Sequence, residues 1–302
     1  MSIKILNSTP LQPVALTAEH LALLPSDADV LAYRKHGYYH SQTLFTDAQM
    51  EAVLAASERF YAGELDEPPV NLPALERFRP KGVYGNGLRK HDHSSKFSAG
   101  LRWLTTHPLL GAIAAKLSGS DEIRLWHDQL LYKPTQDPAK PTNVGWHTDR
   151  GYWKTCSSAD MLTAWIPFHD CNVEMGTITM IDGSLHWPDN TLNLNFFSSD
   201  LDGLENQFDT GGQPVIKTPM NLKKGQVSFH HCLTIHGSGP NYRDHPRRAI
   251  AVHLQDKSNH WTEYHYPDGR LAMHDNDTLC RKVDGVPDYT DPDFCPMLYR
   301  AL

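Results

Sequence analysis

The sequence contains few cysteines, and no two of them are close together. Five of the 302 residues are cysteine, and no Cys-x-x-Cys pair occurs. These residues are Cys156, Cys171, Cys232, Cys280 and Cys295. An odd, dispersed set of cysteines is typical of free thiols in a reducing compartment and argues against a disulfide framework. We therefore expect a cytoplasmic protein.

The sequence also lacks the features of membrane proteins and nucleic-acid-binding proteins. No apolar run approaches the roughly 18 residues of a membrane span, and residues 1–20 lack the charged-then-apolar layout of a signal peptide. Lys and Arg number 28 against 35 Asp and Glu, a net charge of −7, whereas a nucleic-acid binder needs a basic surface. We expect neither a membrane nor a nucleic-acid partner. The oligomeric state is not indicated.

The hydrophobic period changes once along the chain. A capping box at Thr46 and Gln49 starts one helix, and a second begins near residues 106–108 and stops at Gly119. After Gly119 apolar residues alternate with period two, which is typical of strands. The segments predicted as strands are 122–133, 161–170, 176–181, 225–235 and 248–255.

Helices followed by strands predict an α+β chain. We expect its catalytic part to be a double-stranded β-helix, a cupin-like jelly roll, flanked by N-terminal helices. The chain is interpreted as a single domain. Residues 1–120 form its helical part, 121–258 the jelly-roll core, and 259–302 a C-terminal extension on the surface.

The 18 histidines raise the question of a metal site. His147 and Asp149 form the only His-x-Asp in the chain, and residues two apart on an extended strand point to the same side. Alone, so short a match also fits a surface turn. His236, at the end of an alternating strand, is a plausible third ligand, better placed than His230, His231 or His253. Two histidines and one carboxylate are the facial triad of non-haem iron(II) oxygenases.

A second candidate group lies on the strand that begins at Arg247. Arg247, Ala249, Ala251 and His253 share one face of this strand. The small alanines leave room for a bound molecule, and the arginine offers a planar fork for a carboxylate. The alternative is that Arg247 and Arg248 are two surface arginines ahead of a strand.

Several motifs in order resemble one known family. The chain reads H-T-D from residue 147, A-W-I-P-F-H-D-C-N from 164, M-I-D-G-S-L-H-W from 180, H-G-S-G-P-N from 236 and R-R-A-I from 247. Upstream, residues 126–134 read W-H-D-Q-L-L-Y-K-P. This series resembles the phytanoyl-CoA dioxygenase (PhyH) family over roughly residues 30–255. Asp182 departs from it, because proline is more usual before that glycine.

The resemblance implies an enzyme that uses Fe(II), 2-oxoglutarate and O2. His147, Asp149 and His236 would be the iron ligands and catalytic residues. Arg247 would hold the distal carboxylate of 2-oxoglutarate. The further cosubstrate contacts would be Ser238, Gln129 and Trp165. The expected reaction is hydroxylation of an aliphatic carbon of a small-molecule metabolite, with release of succinate and CO2. Asp149 argues against a halogenase, which lacks the carboxylate.

Two other functions fit the ligand set. A jelly-roll sensor or binding protein could keep the metal without turnover, and a zinc hydrolase could use the same ligands. Neither gives Arg247 a role, so we favour the oxygenase.

The substrate is the least defined part of the interpretation. A basic stretch at residues 77–96 could attract an anionic group, although a solvated loop is an equally simple interpretation. The candidate substrate contacts are Arg89, Lys90, Trp146, Arg150 and Tyr152. Those beside the metal-ligand strand could equally be packing residues.

Overall fold

Helices dominate the first third of the chain and strands the remainder. The structure, a computed structural model, describes residues 4–6, 15–66, 72–82, 84, 87–137, 142–192 and 194–301. The helices are α1 Ala18–Ala22, α2 Asp27–His36, α3 Asp47–Tyr61, α4 Ala99–Thr105, α5 Pro108–Ser118, α6 Leu201–Glu205 and α7 Asp275–Leu279. Short 3-10 turns occur at Pro73–Phe78, Ser94–Lys96, Asp149–Gly151, Val173–Met175 and Ser184–His186.

The strands form two main sheets. They are β1 Lys4–Leu6, β2 Tyr38–His40, β3 Glu64–Asp66, β4 Arg89–Asp92, β5 Glu122–Lys133, β6 Val144–His147, β7 Leu162–Pro167, β8 Thr179–Ile181, β9 Lys217–Pro219, β10 Ser228–His231, β11 His236–Ser238, β12 Arg247–Asp256, β13 Lys282–Val283, β14 Val286–Pro287 and β15 Met297–Arg300.

Both main sheets are antiparallel. The larger has seven strands in the order β15-β5-β12-β7-β10-β2, with β4 also paired to β5. The smaller has four strands in the order β6-β11-β8-β9. Two short pairs, β1 with β3 and β13 with β14, complete the described sheets. The α+β prediction is confirmed.

Helices α3 and α5 begin where the sequence predicts. Thr46 and Gln49 form the capping box of α3, with each side chain accepting from the other residue's backbone N–H. Helix α5 has Pro108 in its first turn and ends at Gly119, whose φ of 80° is left-handed and suits a residue without a Cβ. Fully burying one of its apolar side chains contributes about 1.5–3 kcal/mol. The apolar side chains of α5 are buried against the large sheet, where the helix contacts β5, β12 and β15.

The two faces of β12 have different neighbours. Ile250, Val252 and Leu254 join the main apolar core with the residues of α5. Ala249 and Ala251 point the other way and pack in a second core that includes Met180 of the small sheet. The alternation on β12 therefore directs its small-residue face into the space between the two sheets.

Two expectations about strand layout are wrong. Segment 225–235 is not one strand, because the turn after β10 carries the chain from the large sheet to β11 in the small sheet. The segment 259–302 is not a surface extension. Its strand β15 pairs with β5, and Tyr289, Phe294 and Leu298 are buried in the main core. The sequence pattern missed this because the tail's strands are very short. Within the described ranges, no helix has the length and apolar character of a membrane span.

Candidate active site

The two sheets bring together the residues of the predicted triad. His147 ends β6, Asp149 opens the turn after it, and His236 begins β11 directly opposite His147 in the antiparallel register. One ligand atom from each residue lies within 4.8 Å of the other two, and all three are buried. His236 Nε2 and Asp149 Oδ1 are 3.8 Å apart. Among the residues that the structure describes, this is the one group with metal-ligand spacing.

Hydrogen bonds set the tautomers of both triad histidines. Nδ1 of His147 lies 2.8 Å from the Gly145 carbonyl oxygen, and Nδ1 of His236 lies 3.0 Å from the Thr234 carbonyl oxygen. A carbonyl oxygen can only accept, so each Nδ1 carries the proton and each Nε2 lone pair is available. Burial lowers the pKa of both imidazoles, which keeps them neutral. This donor set fits a divalent transition metal.

Asp149 is held by groups behind the triad. Its Oδ2 accepts a hydrogen bond from the Thr163 hydroxyl and one from His230 Nε2 at 3.2 Å. Burial alone would raise the pKa of this carboxyl group, but His236 and His230 hold the pKa well below its usual range. Asp149 is therefore an oriented carboxylate with Oδ1 turned towards His236.

Two cavities meet at the triad. The inner cavity lies between the sheets and reaches Arg247, and the outer cavity, of about 220 Å³, opens towards solvent. Both cavities are lined by Gln129, His147, Asp149, Phe196 and His253. A metal at the triad would therefore contact one molecule in each cavity.

The inner cavity ends at Arg247, and a second buried cation, Lys133, lies behind its wall. Arg247 donates from Nη1 to the Gly176 carbonyl oxygen at 2.6 Å, and its guanidinium lies 5.3 Å from the centre of the Trp165 ring. Lys133 donates from Nζ to Ser238 Oγ at 2.6 Å. Burial lowers the pKa of both groups. In the described ranges neither forms an ion pair with a carboxylate, so the end of this cavity suits an anion.

Arg248 has the opposite environment. Its guanidinium forms a 2.7 Å ion pair with Glu58 and is partly exposed. Adjacent strand residues alternate in direction, so only Arg247 faces the cavity.

Several predicted site residues line the cavities. Gln129, Ser238 and Trp165 line the inner cavity with Arg247, while Lys90 and Tyr152 line the outer one. The ammonium group of Lys90 forms a 2.8 Å ion pair with the carboxylate of Asp92.

Three predicted substrate contacts lie elsewhere. Trp146 points away from its strand neighbour His147 and packs with Phe208 in a separate core. Arg150 donates to the backbone carbonyl of Trp153 and, at 2.7 Å, to that of Cys156. Arg89 lies over three tyrosine rings, 4.1 Å from the centre of the nearest. None of these three residues lines the inner or the outer cavity, because alternation and local pairing turn them away from both.

Some residues of the site were not predicted. Asp149 of the triad is contacted by Thr163 and His230. Near the Arg247 end of the inner cavity, Ser238 is contacted by Lys133. The outer cavity is lined by His127 and His274. The alternation of β5 carries a signal for Lys133, which shares a face with Gln129. His274 had no such signal, because it comes from the C-terminal segment.

The chain is similar in sequence to a known protein family. A family model described as phytanoyl-CoA dioxygenase (PhyH) matches residues 33–249. The peroxisomal phytanoyl-CoA dioxygenase of Bos taurus is 22% identical over 168 residues, which are 56% of this chain and 50% of that protein. The matched part thus spans half the length of this curated relative.

Solved structures share the fold. The non-haem α-ketoglutarate-dependent epimerase SnoN of nogalamycin biosynthesis has 24% identity and a TM-score of 0.65, covering 90% of this chain and 98% of its own. EctD from S. alaskensis, solved with 2-oxoglutarate and 5-hydroxyectoine, has 20% identity and a TM-score of 0.58, covering 84% of each chain. Since the family model covers more than half of the chain and includes the triad, the chain belongs to the phytanoyl-CoA dioxygenase (PhyH) family of Fe(II)/2-oxoglutarate-dependent oxygenases.

Proposed function

We propose that the protein is a dioxygenase that hydroxylates an aliphatic carbon of a small-molecule metabolite, using Fe(II), 2-oxoglutarate and O2. The observation that carries the proposal is the position of the triad between two cavities. One ends at Arg247, which has no carboxylate partner among the described residues, and the other is open to solvent. The first suits a dicarboxylate cosubstrate and the second a substrate. SnoN with Fe3+ and α-ketoglutarate, and EctD with 2-oxoglutarate, are structural relatives.

His147, Asp149 and His236 would hold the iron through two Nε2 atoms and Oδ1. The backbone carbonyls of Gly145 and Thr234 orient the imidazoles, and Thr163 with His230 orients the carboxylate. Bound iron, with 2-oxoglutarate and O2, supplies the oxidising power and releases succinate and CO2. The role of the protein is to place the substrate carbon beside the metal and to exclude bulk water.

The inner cavity would hold 2-oxoglutarate. Arg247 would present a fork to the distal carboxylate. The Ser238 hydroxyl lines the same cavity and accepts a hydrogen bond from Lys133, which leaves its own proton free to donate to the cosubstrate. Trp165 supports the guanidinium from one face. Gln129, which lines both cavities, would contact the cosubstrate close to the metal.

The rest of the molecule fits this function in its layout. We propose that the two antiparallel sheets are the two faces of a jelly roll and that the core of residues 121–258 forms a single domain with its helical part and C-terminal segment.

The five cysteines are all buried and free, in line with the predicted cytoplasmic location. The basic stretch that suggested an anionic substrate has its one cavity-lining cation, Lys90, in an ion pair with Asp92, so a small molecule without a required negative charge is favoured.

The experiment is reconstitution under nitrogen followed by addition of oxygen. The metal-free protein is titrated with Fe(II) and then with 2-oxoglutarate, and binding is followed by the metal-to-ligand absorption band. Oxygen is then admitted, and succinate is measured with and without a metabolite panel. An oxygenase binds both and forms succinate, faster with its substrate, whose product shows whether hydroxylation or another oxidation occurred. A sensor would bind both and form none, and failure to bind 2-oxoglutarate would contradict the proposal.

A further inference from the structure

The inner wall of the outer cavity carries a group of buried histidines. The rings of His127 and His253 are 4.4 Å apart between centres, and those of His127 and His274 are 4.9 Å apart. All three line the cavity beside the triad. Burial lowers the pKa of His274 to about 3 and that of His127 well below its usual value, so these two rings are neutral at physiological pH. The three histidines form a polar surface, the histidine wall.

The hydrogen-bond network sets the tautomer of His253. The Thr163 hydroxyl donates its one proton to Asp149 Oδ2, and the same oxygen lies 2.7 Å from His253 Nδ1. His253 must therefore donate from Nδ1, which leaves a bare lone pair on Nε2. This Nε2 is buried and has no partner within the described residues. An unsatisfied buried acceptor is costly, so a donor from a molecule in the cavity would stabilise it.

The other two histidines extend this hydrogen-bonding surface. Both ring nitrogens of His127 are buried without a partner in the described part of the chain. His274 accepts on Nδ1 from the Asn276 backbone N–H at 3.2 Å, so its proton is on Nε2. The histidine wall thus offers acceptors and a donor at short range, which matches hydroxyl groups because each can both donate and accept.

Charge at the cavity is balanced or slightly negative. Lys90 is paired with Asp92 at 2.8 Å, and Asp275 is paired with Arg77 at 2.8 Å. Asp149 adds a negative charge that a metal would offset. No unpaired cation lines this cavity among the described residues, so nothing there compensates the desolvation of an anionic substrate.

The mouth of the cavity is apolar. Phe197 and Met273 line it and are 72% and 69% exposed. Phe196 lies deeper, with its ring 4.9 Å from that of His147. Drug-sized ligands occupy pockets of about 300–1,000 Å³, whereas this cavity measures about 220 Å³. It therefore admits about one ring of a substrate, while the remainder would lie against the apolar mouth.

We propose that the outer cavity binds a neutral, hydroxyl-bearing ring that carries an apolar extension, with His253 Nε2 accepting a hydrogen bond from a ring hydroxyl. This inference rests on the proposed function, since it names the substrate class of the same site. His253 links that hydroxyl through Thr163 to Asp149, so the carbon presented to the metal is close to the recognised hydroxyl. The apolar extension packs against Phe197 and Met273.

The test is calorimetric binding to Ni(II)-substituted protein loaded with 2-oxoglutarate, which prevents turnover. The probes are phenyl β-D-glucoside, phenyl β-D-galactoside and phenyl α-D-mannoside, with phenyl β-D-glucuronide and phenyl phosphate as anionic counterparts. We expect at least one neutral glycoside to bind at least about tenfold more tightly than both anions. Stronger binding of an anion, or no binding of any neutral glycoside, overturns the inference. Failure of Ni(II) or 2-oxoglutarate to bind in the first titration would instead contradict the proposed function.

Two variants separate substrate contact from support of Asp149. His253→Asn can still donate to Thr163 from its amide nitrogen but has no acceptor at the position of Nε2. His253→Gln can place an amide oxygen there but loses the donor to Thr163. We expect His253→Asn to weaken glycoside binding at least about tenfold, with 2-oxoglutarate affinity changed less than about twofold, and His253→Gln to retain more glycoside affinity. His265→Asn, at an exposed histidine that lines neither cavity, is the control. Equal glycoside affinity in wild type and His253→Asn would overturn the assignment.

Discussion

Arg247 and Lys133 lie opposite each other in the register of β12 and β5, and both are buried. Like charges directly opposite on neighbouring strands destabilise a sheet, and burial away from water adds to the cost. Neither has a carboxylate partner within the ranges that the structure describes. A pair of this kind is expected where an anionic ligand supplies the missing charge. Stability of the free protein and affinity for 2-oxoglutarate should therefore depend on these residues in opposite directions.

The first prediction follows from this opposition. Lys133→Met should raise the melting temperature of the cosubstrate-free protein, because it replaces a desolvated charge by an apolar chain of similar length. The same variant should bind 2-oxoglutarate about 10- to 100-fold more weakly, because it removes a positive charge behind the cavity and the hydrogen bond that orients Ser238. A hydrogen bond to a charged group contributes about 1.5–3 kcal/mol. Thermal unfolding and anaerobic titration measure the two effects. A variant that is both less stable and unchanged in affinity would show that Lys133 is purely structural.

The second prediction compares neighbours on one strand. Arg247→Ala should weaken 2-oxoglutarate binding by about 3–5 kcal/mol, because it removes one partner of a buried charge pair. Arg248→Ala, which removes only the ion pair with Glu58, should change it by less than about 1 kcal/mol. Cosubstrate titration under nitrogen measures both. Equal losses would show that the strand faces are assigned incorrectly.

The third prediction concerns the metal. His147→Ala should reduce bound Fe(II) from one ion per chain to almost none, because it leaves only Asp149 and His236 of the three ligands. His260→Ala, at an exposed histidine far along the chain, should leave one ion bound. Metal content after dialysis measures both. Full occupancy in His147→Ala would place the metal elsewhere.

The fourth prediction tests the support behind the ligands. Thr163→Val keeps the shape of the side chain but removes the hydroxyl that donates to Asp149. Loss of such an outer hydrogen bond typically lowers metal affinity about 10- to 100-fold. Competition with a chelator of known strength gives the affinity. The variant Ser157→Ala, whose hydroxyl contacts Ser258 and His260 at the surface, is the control and should be unchanged.

The site residues that the sequence predicts correctly could be predicted for one physical reason. His147, His236 and Arg247 are near strand ends in motifs of fixed spacing, so alternation determines which way each points. Alternation also determines that Trp146 points away from the cavity, although it was proposed as a substrate contact. His127 and His274 meet across 147 residues (274 − 127) of chain, and no local pattern specifies such a contact. The long-range packing of the C-terminal segment therefore remained hidden until the fold was known.

The last prediction concerns stability and pH. His107 caps α5 by accepting from the Leu109 backbone N–H on Nδ1 at 3.3 Å, which requires the neutral ring. Burial, with a contribution from His20, lowers its pKa from 6.5 to about 4.

Because the folded pKa lies below the unfolded one, the unfolded chain takes up the proton first as pH falls. The contribution of His107 to the free energy of unfolding is therefore fully present above about pH 6.5. It decreases by up to about 1.4 kcal/mol per pH unit as the pH falls to about 4. His107→Asn retains a good cap without a titrating ring. Between pH 7 and 5 the metal-free variant should lose about 2 kcal/mol less than the wild type in urea unfolding. Parallel pH profiles for the two proteins would show that the His107 ring is not held neutral in the fold.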